Sequence, residues 1–175
     1  MADSALWVAA LTSGTAVLAS WVTSLGNVRT ARTQARVAAD VEHRGRVREA
    51  RRAACLELLE RAHTLGELYR AVLDAHFRHG DGDRFLARVQ ELRGAVREAY
   101  DPLMHAVRAL ALEGPAGTAA AARAVQAAAT EVSRSLWHVS LGEAGARDRF
   151  GAARQAYLTC LEQFTETARA ALEAS

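Results

Sequence analysis

Residues 54–72 read ACLELLERAHTLGELYRAV, and this stretch decides the fold class. Ala54, Leu58, Ala62, Leu65, Tyr69 and Val72 recur at steps of three and four, so they fall on one face of a helix with 3.6 residues per turn. Glu57, Glu60, Arg61, His63, Glu67 and Arg70 occupy the other positions. Val47 continues the apolar stripe backwards, and the His-Gly-Asp-Gly-Asp run at 79–83 stops it forwards. A helix with one apolar stripe has to bury it against another element.

Downstream, the same periodicity repeats three times. A second helix carries Phe85, Val89, Leu92, Val96, Leu103, Val107 and Leu110. It runs through Pro102, which predicts a kink or short break near Asp101. Glu113-Gly-Pro-Ala-Gly117 is a turn. Ala121, Val125, Ala128, Val132, Leu136 and Val139 mark a third, alanine-rich helix. After Gly142, a last one carries Phe150, Ala153, Tyr157, Leu161, Phe164 and Ala168. Only two prolines, Pro102 and Pro115, interrupt the 175 residues. The expectation is an all-α protein: an N-terminal helix continuing as a stalk into an antiparallel four-helix bundle joined by short turns.

Upstream, Ala5 to Val28 form 24 consecutive positions without a charged side chain. That is enough helix to cross a hydrocarbon core, which takes roughly 20 residues. Trp7 and Trp21 are separated by about 21 Å of helix, a spacing suited to two interfacial indoles. Arginines follow at once at Arg29, Arg32 and Arg36, whereas only Asp3 precedes the run, so the bias predicts an outside amino terminus and a cytoplasmic bundle. Thr12, Ser13, Thr15, Ser20, Thr23 and Ser24 dilute the apolar content, although helical hydroxyls can bond back to the carbonyl one turn earlier. Thr12, Ala16, Ser20 and Ser24 recur every fourth residue and form a small-residue face on which two anchors could pack. Two other readings of the run remain open. One is a cleaved signal peptide, which the Met-Ala-Asp-Ser start does not favour; the other is a buried helix of a soluble protein. The expected division is therefore an anchor over 1–28, an arginine-rich juxtamembrane stalk over 29–45 with Gly45 as a swivel, and a bundle over 46–175.

All 22 basic residues are arginine, isoleucine is absent, and Asn27 is the only asparagine, a bias of the kind a high-GC genome imposes. Residues 29–52 hold eight arginines against Asp40, Glu42 and Glu49, a local net charge of +5 in a chain whose total is +2. Arg29, Arg32, Arg36, Arg44, Arg46 and Arg48 are the candidate contacts to anionic lipid headgroups, at about 1 kcal/mol each near a surface. Away from a membrane they could grip nucleic-acid phosphate, but no aromatic lies between Trp21 and Tyr69 to stack a base.

Catalytic and metal patterns are sparse. Glu60 and His63 form one Glu-x-x-His pair, where carboxylate-bridged di-iron bundles use two, and Asp101 with His105 has the wrong spacing. His76, His79, Asp81 and Asp83 are the densest ligand-like group, and a helix end followed by a glycine turn accounts for them as well. Cys55 and Cys160 read as buried free thiols. His43 falls in the charged stalk, His105 and His138 beside apolar stripes as packing residues, and Trp137 at a bundle edge or interface. No phosphate loop, nucleophile elbow or zinc spacing occurs, so no catalytic, cofactor or metal residues are assigned and an enzyme is not expected.

The uncharged span, then Asn-Val-Arg-Thr-Ala-Arg-Thr-Gln-Ala-Arg at 27–36, Arg-Val-Arg-Glu-Ala-Arg-Arg at 46–52 and Glu-Leu-Leu-Glu-Arg-Ala-His at 57–63 resembles a group of small actinobacterial proteins. These are uncharacterised membrane-anchored helical proteins, and the resemblance covers roughly the first 70 residues. It implies a cytoplasm-facing bundle in a high-GC bacterium and brings no site residues with it. Two functions stay open. One is a single-pass, non-enzymatic scaffold that holds a protein partner or a second copy at the membrane. The other is a soluble homo-oligomer with a basic arm, for which Leu58, Leu65 and Val72 at seven-residue spacing suggest a short coiled coil.

Overall fold

The computed structural model describes the backbone of residues 2–80 and 82–174, and the side chains of residues 34–174 apart from Ala35, His79 and Asp81. The chain is all-α. Its four helices are α1 (Ala2–His79), α2 (Asp83–Glu113), α3 (Ala116–Ser140) and α4 (Ala146–Glu173), with no strand among the described residues. The chain divides into two compact units, Met1–Val47 and Arg48–Ser175.

In the first unit α1 passes through Gly45 without interruption, so the expected swivel is continuous helix. Val37 and Val41 are 57% and 64% exposed, and Arg36, Arg44 and Arg46 are exposed with them. Arg46 pairs with Glu42 one turn earlier at 3.4 Å, an exposed i,i+4 contact worth a few tenths of a kcal/mol. The hydrophobic run 5–28 and its small-residue face Thr12, Ala16, Ser20 and Ser24 lie outside the residues whose side chains are described. Among the described residues no helix is long and apolar enough to cross a membrane.

In the second unit the end of α1 and the three later helices share one core. The stripe read from residues 54–72 is buried throughout, with Leu58, Ala62, Leu65 and Tyr69 at zero exposure. All seven apolar positions expected of α2 are buried as well. Neighbouring helices run antiparallel, as short connections require. Arg93 and Gln90 of α2 reach Ser140 of α3, while Tyr100 reaches Thr130, so one helix ascends as the other descends. Arg48 near the start of this unit meets Leu172 of α4, and His76 meets Arg147, which sets α1 and α4 antiparallel too.

Buried aromatic side chains tie α1 to the helices across the core. The Tyr69 hydroxyl donates to the Ala129 carbonyl at 3.1 Å, and its ring meets Tyr157 edge-on at a centroid distance of 5.5 Å. The Tyr157 hydroxyl donates to the Ala62 carbonyl at 2.6 Å. Each buried phenol thus satisfies its polar end, without which burial would carry the full desolvation cost.

One expectation is narrowed and two need correction. α2 continues through Pro102 with no break near Asp101. Val96 on one side and Leu103 on the other are both buried in the same core, which holds the two halves in register despite the lost hydrogen bond. In α3 the buried alanines are Ala119, Ala122 and Ala129, with Ala121 and Ala128 half-buried at the edge of the stripe. Leu58, Leu65 and Val72 are spent on the intramolecular core, so they are not free to form an intermolecular coiled coil.

The turns follow from local chemistry. Gly80 adopts φ +62° and its N–H reaches the His76 carbonyl at 2.8 Å, the left-handed cap that ends α1. At Gly114 a Cβ would stand 2.6 Å from the Leu110 carbonyl oxygen, so only glycine lets the chain fold back this tightly before Pro115 opens α3.

Candidate functional site

Arg48 and Arg51 belong to the bundle's own architecture. Arg48 Nη2 donates to the Leu172 carbonyl at 2.8 Å and Arg51 Nε to the Glu113 carbonyl at 3.2 Å. Both acceptors lie in the last turns of α4 and α2, where orphan carbonyls and the negative end of the helix dipole favour a cation. Of the six arginines set out for lipid or phosphate, Arg48 is therefore occupied, Arg36, Arg44 and Arg46 are exposed, and the side chains of Arg29 and Arg32 lie outside the described residues.

The residues with metal-like or catalytic spacing are dispersed. Glu60 and His63 are exposed on the solvent side of α1. His76 is half-buried, edge-on to Phe85 at 5.6 Å, with Arg147 Nη1 3.0 Å from its Nδ1. Asp83 is exposed in the first turn of α2, and the side chains of His79 and Asp81 are outside the described set. Among the described residues no three His, Cys, Asp or Glu side chains group as metal ligands would. His43 is exposed in the stalk. His105, expected to pack, is exposed on α2, because its position falls between the buried Leu103 and Ala106 on the outer side. His138 does close a structure: its Nδ1 lies 2.9 Å from both carboxylate oxygens of Glu143, and Arg149 stands 3.5 Å from the same carboxylate. That trio pins the α3–α4 turn.

Cys55 is a buried free thiol and Cys160 a half-buried one. Burial pushes the Cys55 thiol up, away from thiolate reactivity. Burial likewise raises Tyr69 to about 12 against the opposing hydrogen bond from Ser133, and raises Tyr157 further. These shifts are those of core residues holding neutral forms, not of acid–base groups tuned towards neutrality.

Among the described residues a groove of about 430 Å³ lies between α2 and α3. Val96 and Leu136 make its floor, Tyr100 and Trp137 its flat walls, and Arg93, Arg97 and Arg134 its rim. Trp137 is 47% exposed, and the Arg93 guanidinium carbon sits 4.2 Å from the centre of its ring. Arg93 Nη1 also donates to Gln90 Oε1 at 2.9 Å and Ser140 Oγ at 3.1 Å, which fixes it over the indole. Tyr100 and Thr130 share a hydrogen bond of 2.7 Å across the groove. The tryptophan was legible in the sequence as an edge or interface residue. The three arginines were not, because they read as the ordinary polar faces of two separate helices.

No family model matches this chain, and neither a curated protein nor a solved structure matches it.

Proposed function

We propose that this protein is a non-enzymatic scaffold in which residues 5–28 anchor a cytoplasmic four-helix bundle to the membrane. The observation that carries the reading is the uncharged run from Ala5 to Val28 followed directly by Arg29, Arg32 and Arg36. The bundle supports it from the other side. Among the described residues its core draws on nothing before Ala54, so the preceding segment is not needed to close that core. Exposed Arg36, Arg44 and Arg46 then lie along α1 where anionic headgroups would attract them. The small-residue face Thr12, Ala16, Ser20 and Ser24 would let two anchors associate, presenting a pair of bundles to a partner.

Exposed Val37 and Val41, one helical turn apart, favour a second reading: a soluble homo-oligomer in which α1 packs against its copies and the arginines form a basic arm for phosphate. Membrane fractionation with a carbonate wash separates the two, run on the full chain and on residues 29–175. The anchor reading expects full-length protein in the washed pellet and the truncated form in the supernatant. Full-length protein in the soluble fraction overturns it and sends the basic arm to a nucleic-acid binding assay.

A further inference from the structure

We propose that the α2–α3 groove is a binding site for a small aromatic carboxylate. Its accessible apolar surface is carried by Trp137, 47% exposed, and Tyr100, above Val96 and Leu136 that are buried in the core, so a flat hydrocarbon ring can stack there without losing hydrogen bonds. Its volume of about 430 Å³ is near the lower end of the roughly 300–1,000 Å³ typical of small-molecule sites. That suits one ring or a fused pair better than a nucleotide coenzyme.

The rim selects the charge. Three guanidinium groups face one carboxylate, Asp101, among the lining residues. Arg97 makes no hydrogen bond or ion pair among the described residues. Arg134 commits only Nη1, to Glu131 at 2.7 Å, and both protein contacts of Arg93 also use Nη1. A guanidinium carries five N–H donors in a fork matched to a carboxylate, so the rim retains the donors for a bidentate contact. The frame is set before any ligand arrives: Arg93 is held on Trp137 and Ser140, and Tyr100 is tied to Thr130. Ordering costs on binding are correspondingly small.

The test is an NMR titration of the full-length chain, isotope-labelled at tryptophan, with 2-naphthoate and separately with uncharged 2-naphthalenemethanol. The Trp137 indole signal is assigned by its loss in Trp137→Phe. The proposal expects saturable movement of that signal with naphthoate while the Trp7 and Trp21 signals stay still, and affinity for the alcohol lower by at least about tenfold. Arg97→Ala should weaken naphthoate by about tenfold or more without altering thermal melting, since Arg97 is exposed. Arg134→Gln should weaken it as well, whereas Arg123→Ala, elsewhere on α3, should not. A Trp137 signal that fails to saturate, equal affinity for acid and alcohol, or full affinity in Arg97→Ala would each overturn the proposal.

Discussion

Replacing Gly66 by alanine should stabilise the bundle, even though the position faces an aromatic ring. Gly66 lies within α1, on the turn after Ala62, and a Cβ built there meets only the Tyr157 ring edge, at 3.7 Å. That is ordinary van der Waals contact, so no side chain has to move. Alanine is favoured over glycine inside a helix by about 0.8–1.0 kcal/mol, because glycine loses more backbone freedom on folding. The new methyl adds one dispersion contact, at about 0.1–0.2 kcal/mol. Gly94, exposed in α2 with nothing within 4 Å of its Cβ position, isolates the propensity term alone. For a unit of 128 residues spanning Arg48–Ser175, about 2.1 cal/mol/K per residue converts 1 kcal/mol into roughly 4 °C. Thermal melting followed by near-ultraviolet circular dichroism, which reports the packed tyrosines, should show both variants raised by about that much, with Gly66→Ala at or above Gly94→Ala. Gly114→Ala should fall instead, because its Cβ would stand 2.6 Å from the backbone oxygen of Leu110. A lowered Tm for Gly66→Ala beside a raised one for Gly94→Ala would refute the spacing between α1 and α4. Lowered values for both would refute the helical argument itself.

Two further outcomes follow from the buried phenols. Tyr157→Phe removes the 2.6 Å bond to the Ala62 carbonyl while that carbonyl keeps its place in the α1 ladder, so no acceptor is orphaned and chemical denaturation should show a loss of about 0.5–1.5 kcal/mol. Alkaline pH should unfold the bundle by a defined route. Burial raises Tyr69 from 10.0 to about 12 and lifts Tyr157 above its ordinary value, so the unfolded chain releases these protons first. Their stabilisation is complete below pH 10 and is lost as pH rises towards 12. Phenolate absorbance from both residues should therefore be held back above the ordinary tyrosine range and accompany loss of the near-ultraviolet signal; ionisation of Tyr69 near pH 10 in a chain that keeps its fold would contradict its burial.

Helix existence was legible from spacing wherever apolar residues differ clearly from their neighbours. Phe85, Val89, Leu92 and Val96 announce their face, as do Phe150, Tyr157 and Phe164. The run Ala119 to Ala122 does not, because identical small side chains carry no period, and the choice of Ala122 over Ala121 is made by the neighbouring helices. At Pro102 the sequence leaves a kink or a break open, and continuity of the helix is decided by burial on both sides, a quantity absent from local sequence. The helix-capping contacts of Arg48 and Arg51 were equally hidden, since each joins residues far apart in the chain.

The linear pattern by itself determines that the chain is helical, where the turns fall and which stripe of α2, of α4 and of the end of α1 seeks a core, since those follow from periodicity and backbone preferences within a few residues. The α2–α3 groove was decided only by tertiary structure. Arg93, Arg97 and Tyr100 lie on one helix and Arg134 and Trp137 on another. The antiparallel register fixed by Ser140 and Thr130 is what brings a row of solvated cations onto the walls of a shared apolar floor.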